Sequence, residues 1–128
     1  MSSYEHLQTL VRYILPEEII DNFDIVGIED KSGVLHIRLD EQPLPPAGYL
    51  PDTISPNGFF PSSSVHDFPI RDRKVVLHIR RRRWVEKRTG KSLSRSWEMT
   101  AEGTRYTVGF AAFLKEAFGY DPDSGKHP

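Results

Sequence analysis

Arg80, Arg81, Arg82, Arg83 and Trp84 follow one another in this 128-residue chain, with Arg71, Arg73 and Lys74 just before them and Lys87, Arg88, Lys91 and Arg95 just after. Guanidinium forks hold phosphate through paired hydrogen bonds and can read guanine edges, and tryptophan faces accept stacking or cation–π contact. Both properties suit nucleic acid, and these twelve residues form the candidate binding set. A second reading places Trp84, and with it Trp97, in the core and leaves the arginines as a solvated rim. The formal net charge of −1 hides a segregation that favours the first reading for the arginines. Residues 1–70 carry three basic and eleven acidic side chains, residues 71–95 eleven and two, and residues 96–128 three and five. Such segregation is the electrostatic footprint of a phosphate binder, although a basic strand can equally pair with the acidic half of its own fold.

Other chemistry finds less support. The chain has no cysteine, which removes disulfides, thiolate metal sites and nucleophilic cysteine together. Histidines stand at 6, 36, 66, 78 and 127, without the His-x3-His or His-Glu-x2-His spacing that seats a metal on one helix face. Neither a phosphate-cradling glycine loop nor a Gly-x-Ser-x-Gly elbow is present. A catalytic reading is left with His66 and Asp67 in a proline-rich stretch. The expectation is therefore a non-catalytic chain without metal or cofactor.

The elements that must position the arginines can be read from periodicity. Ser2 and Glu5 fit a capping box, and Leu7, Leu10, Val11, Ile14 and Leu15 recur on one face of a first helix. Pro16 stops it and opens a short second helix over 17–22, and the pair is expected to pack together. Residues 25–30 and 34–40 flank Lys31-Ser32-Gly33 as a β-hairpin with Leu35, Ile37 and Leu39 on its buried face. Seven of the ten prolines lie between Pro43 and Pro69, which spells a long irregular connection. Residues 73–84 read as a strand whose arginines alternate between faces and whose far end projects beyond the sheet. Residues 92–98 return beside it, making a basic hairpin around Thr89-Gly90-Lys91. Thr104 or Thr107 caps a last helix whose Tyr106, Phe110, Phe113, Leu114 and Ala117 read as core, with Gly119 at its stop.

The succession Asp67-Phe68-Pro69-Ile70, Lys74 to Ile79, then Arg80 to Trp84 resembles the front domain of DDE-type insertion-sequence transposases. There an Asp-Leu/Phe-Pro-Ile turn leads into an apolar strand ending in Arg-Arg-aromatic. In those relatives two Cys-x2-Cys knuckles form a zinc ribbon; here the second would fall near Glu86 and Thr89, the first in the proline-rich segment, and no cysteine stands at either place. A zinc-free version, a separate transposase N-terminal region, is the closer likeness. It shares the stretch from Asp67 through Ala101-Glu102-Gly103-Thr104-Arg105 to Phe113-Leu114-Lys115-Glu116. The resemblance implies a role in transposition, gripping the element's DNA ends while a ribonuclease-H-like domain on another chain or frame does the cutting and joining.

The expectation is thus an α+β fold: an antiparallel sheet of about four strands flanked by an N-terminal and a C-terminal helix. One domain spans 1–120, since division would leave pieces too small to bury a core, and 121–128 is a disordered tail or linker start. With no run of roughly 18 apolar residues and no signal pattern, a cytoplasmic location is the default. The expected partners are DNA and the separate catalytic transposase chain, with no membrane. The alternative is an adaptor that docks its basic hairpin on an acidic surface of that catalytic subunit without touching DNA.

Overall fold

A computed structural model of the chain describes residues 2–97, 99–100 and 104–119. Helix α1 (Ser3–Ile14) starts on the expected capping box: Ser2 Oγ accepts from the Glu5 N–H at 3.2 Å, and the Glu5 carboxylate accepts from the Ser2 N–H at 3.4 Å. Pro16, which cannot extend that helix, caps α2 (Glu17–Asn22) through its carbonyl, and Ile19 is fully buried. The chain then forms β1 (Phe23–Lys31) and β2 (Val34–Glu41). Ser32 and Gly33 between them both take positive φ, 54° and 78°, as a tight two-residue hairpin turn requires.

Five further strands follow: β3 (Ile54–Phe59), β4 (Ser63–Ile70), β5 (Arg73–Arg80), β6 (Arg82–Glu86) and β7 (Ser92–Leu93), before α3 (Val108–Phe118) closes the described structure. They make two sheets. The first has the order β1-β2-β5-β4, antiparallel except for the parallel pair β2/β5; the second, β3-β6-β7, is antiparallel throughout. The α+β class with a helix at each end is as expected, and the four-stranded sheet has a three-stranded companion. Ile37, Leu39, Val65, Val75, Leu77 and Ile79 line one face of the first sheet and meet Leu15, Ile19 and Phe23 in the main core. Ile54, Trp84 and Leu93 form a smaller core on the second sheet.

Three expectations need correction. The segment from Pro43 to Pro69 is not an irregular connection, because it contains β3 and β4. Proline lacks the N–H for a ladder bond, but Pro56 and Pro69 sit on edge strands, each where the register shifts. The strand from Arg73 does not project past the sheet. It leaves the first sheet at Arg80 and enters the second at Arg82, where it becomes the central strand. Arg81 is the crossing point, and its carbonyl accepts from the Phe60 N–H at 2.9 Å, so the neighbouring β3–β4 passage bends at the same place. Finally, the helices bury less than their periodicity suggests. No residue of α1 is fully buried, and only Ala111 is in α3. The tail after Gly119, and Glu98 of the expected fourth strand, lie outside the described residues; of that strand only Ser92–Leu93 forms, and it pairs with β6 as the basic hairpin requires. No helix among the described residues is long and apolar enough to cross a membrane.

Leu77, at 0% exposure, sits in a strand flanked on both sides by the first sheet. Leu77→Ala is expected to cost about 3 kcal/mol in chemical denaturation, from lost burial plus the cavity left behind; a loss below about 1 kcal/mol would mean that the main core lies elsewhere.

Candidate nucleic-acid interface

The arginine run is placed by one buried carboxyl. Glu41 ends β2 and is 1% exposed, a burial that a polar side chain tolerates only when hydrogen-bonded. One of its oxygens accepts from the Arg82 backbone N–H at 2.7 Å, and the other from the Trp97 indole N–H at 2.9 Å. The Arg82 side chain returns the contact, donating Nε–H to the Glu41 carbonyl at 2.9 Å. The first residue of β6 is thereby fastened to the last residue of β2, which fixes where the chain changes sheets.

Strand alternation then divides the four arginines into two pairs. Arg80 and Arg82 place their guanidinium groups 4.1 and 4.3 Å from the centre of the Phe59 ring. Arg80 also forks onto Asp40 through two bonds of 2.7 and 2.6 Å. That pairing holds the Asp40 carboxyl below the usual carboxylate range, the hydrogen bond outweighing the opposing effect of burial, and raises the Arg80 pKa. Arg81 and Arg83 turn the other way, 5.3 and 5.9 Å from the centre of the Phe60 ring, with Arg83 Nε donating to Ser92 Oγ at 3.1 Å. Neither has a carboxylate within ion-pair distance among the described residues. The β6–β7 turn adds Lys87, Arg88 and Lys91, all exposed and likewise without a carboxylate partner there.

The remaining members of the expected set separate from this group. Arg71 (φ 61°) lies in the β4–β5 turn, and Arg73 pairs with Asp30 at 2.6 Å and Asp72 at 3.1 Å. Together with Lys74 they stand at the far end of β5, roughly 23 Å from Arg80 by the rise of a strand. Arg95 stacks 4.4 Å from the centre of the Trp97 ring, and its Nη1 is buried without a hydrogen-bond partner among the described residues. Trp84 is 5% exposed inside the smaller core, so its ring offers no face to a base. The acidic half of the chain thus pairs with Arg73 and Arg80, whereas Arg83, Lys87, Arg88 and Lys91 of the β6–β7 hairpin have no carboxylate partner among the described residues.

His66 and Asp67, the two residues left to a catalytic reading, lie on strand β4 rather than in an irregular connection. Both line a cavity of about 530 Å³ between β4, β5 and α3, with Lys74, Tyr106, Phe110 and Phe118. Burial pushes the Asp67 carboxyl up, against the bonds it accepts from the Phe68 N–H and, at 2.8 Å, the Thr107 hydroxyl. The His66 ring packs on Tyr106 at 5.6 Å, and no hydrogen bond joins it to Asp67 among the described residues.

A histidine pair was not legible in the sequence. His36 Nδ1 and His78 Nε2 are 2.8 Å apart across the parallel β2/β5 pair, and Ser64 Oγ lies 3.4 Å from His78 Nδ1. The ring centres are 5.0 Å apart with planes 23° from parallel, and one ring nitrogen donates a hydrogen bond to the other. Both residues sit on the polar side of an alternating strand; their meeting depends on the parallel register, which no local pattern encodes. Comparison of the chain with protein-family models, with curated proteins and with solved structures returns no match.

Burial, then the charges of His36 and Arg38, hold His78 below the usual histidine value. A histidine depressed in the native state takes up its proton more readily when unfolded, so its contribution to stability is present above about pH 6.5 and is lost as pH falls through the native value. The urea midpoint is expected to drop between pH 7.5 and pH 5.5, and to drop less in His78→Gln. Equal drops in the two proteins would remove His78 as the cause.

Proposed function

We propose that this chain is the non-catalytic DNA-binding front module of an insertion-sequence transposase, gripping the element's ends through the β6–β7 hairpin. The observation that carries the reading is the set Arg81, Arg83, Lys87, Arg88 and Lys91, four cations on the hairpin and one at the crossing just before it, with no carboxylate partner among the described residues. Unpaired cations held on a stiff scaffold are what phosphate binding draws on, because each releases a condensed counterion from the duplex without first breaking an internal ion pair. The ordered resemblance from Asp67 to Trp84 supplies the transposition setting, in which a separate chain or frame in the cytoplasm carries the catalytic domain. Phosphate contacts position a protein on DNA, so the hairpin supplies grip rather than sequence reading.

Titration of the purified chain by fluorescence anisotropy, with labelled terminal-repeat and scrambled duplexes across a salt series, tests this. Five phosphate contacts predict log K falling with log salt at a slope of roughly −4 to −5. Arg81→Glu with Arg83→Glu is expected to weaken binding at least about tenfold without unfolding the chain. Absence of binding even at low salt would sink the DNA reading and assign the hairpin to an acidic surface of the catalytic subunit.

A further inference from the structure

Helix α1 is amphipathic yet leaves its apolar side in water. Tyr4, Leu7, Leu10, Tyr13 and Ile14 are 68, 60, 55, 86 and 40% exposed, and only Val11 packs partly against the core. A 12-residue helix is marginal in water by itself and draws its stability from packing an apolar face. The neighbouring edge strand continues the open surface. A bulge between Ile25 and Gly27 shifts the phase of β1, so Ile25 and Ile28 both fall on the core side, opposite Leu39 and Ile37. There they remain 38 and 65% exposed. A cavity of about 540 Å³ joins the two elements, with Leu7, Val11, Phe23 and Ile25 in its lining.

We infer that this face is the interface of a homodimer, in which α1 packs antiparallel against α1 of a second copy about a twofold axis between Gln8 and Thr9. The spacing of the seam argues for self-association. Ser3, Leu7, Leu10 and Ile14 follow one another at intervals of four, three and four residues, the spacing of a helix-pairing stripe. That succession of intervals reads the same in reverse. A copy running the other way therefore sets Leu7 against Leu10 and Ile14 against the small Ser3, twice over, which is the self-complementarity a closed twofold contact demands. Seven large, half-open apolar side chains amount to several hundred Å² per copy. That is a large share of the roughly 800 Å² per partner buried in specific interfaces.

Competing occupants fit less well. A membrane-surface helix carries a polar face rich in lysine and arginine, whereas α1 has only Arg12 of these two types, and Arg12 is bound to Asp21 at 2.7 Å and lies near Glu17. Edge-to-edge pairing through β1 is opposed by its bulge and by Asp24, Glu29 and Asp30. The inference is independent of DNA binding, and it sets two basic hairpins on one particle.

Sedimentation velocity of the full chain without DNA, from about 1 to 200 µM, is expected to give twice the 14.7 kDa monomer mass at the upper end. Leu7→Glu with Leu10→Glu is expected to sediment as a folded monomer over the whole range, with unchanged near-ultraviolet tryptophan signals. Because the natural chain has no cysteine, register can be tested directly. A mixture of Leu7→Cys and Leu10→Cys chains is expected to oxidise to the mixed disulfide faster than either forms a disulfide with itself. A monomer at every concentration would overturn the inference and leave the face to a different protein. So would a dimer that survives the double glutamate substitution, or cysteine pairs that form without the Leu7–Leu10 preference.

Discussion

A carboxyl group buried where two sheets meet is the constraint on which the arrangement of this protein depends. Glu41 ends a strand of the first sheet, and both of its oxygens are occupied by donors from the far side of the junction, the Arg82 amide and the Trp97 indole. Burying a carboxyl away from water is unfavourable unless such donors are in place, so the contact specifies one geometry rather than adding general adhesion. With the start of β6 fastened there, the continuous segment from Arg73 to Glu86 must leave one sheet and enter the next at Arg81. The position of every arginine in the run follows from that crossing.

The crossing turns four identical residues into two kinds. Arg80 and Arg82 stack on Phe59 and are tied to Asp40 and to Glu41, so their cations serve the junction. Arg81 and Arg83 face Phe60 without a carboxylate partner among the described residues, and Lys87, Arg88 and Lys91 of the following turn likewise have none there. The charge segregation of the sequence therefore has two outcomes: part of the basic stretch is neutralised by the acidic half, and part remains available to an outside anion. Stacking on a ring also restrains a long side chain in advance, which reduces the entropy it would lose on binding an anion.

Much of the fold was legible where local chemistry is strong. The capping box at Ser2 and Glu5, the Ser32-Gly33 hairpin turn, the stop at Gly119 and the alternation of β2 and β5 all follow from spacing and turn preference. The proline-rich segment was not legible, because proline's effect on a strand depends on whether that strand lies at an edge, and edge position is a property of the whole sheet. Projection of the arginine strand was expected because four adjacent charges have no place inside one sheet. That reasoning fails once a second sheet begins there. In the candidate site the basic residues were visible as a set, while their division was hidden in partners some 40 residues away in sequence, Asp40, Glu41 and Asp30. Trp84 shows the same limit: its ring chemistry was plain, and its burial required knowing the second core.

Unfolding and the proposed salt-dependent DNA binding, measured together on two double variants, test this division most directly. Arg81→Gln with Arg83→Gln should make the salt slope shallower by nearly 2, at about 0.9 for each phosphate that is no longer neutralised, and leave the denaturation midpoint in place. Arg80→Gln with Arg82→Gln should lower the denaturation midpoint and leave the slope nearly unchanged. An equal reduction of slope in both variants, or a fall in stability confined to the Arg81 and Arg83 variant, would contradict the division of the run into junction and binding arginines.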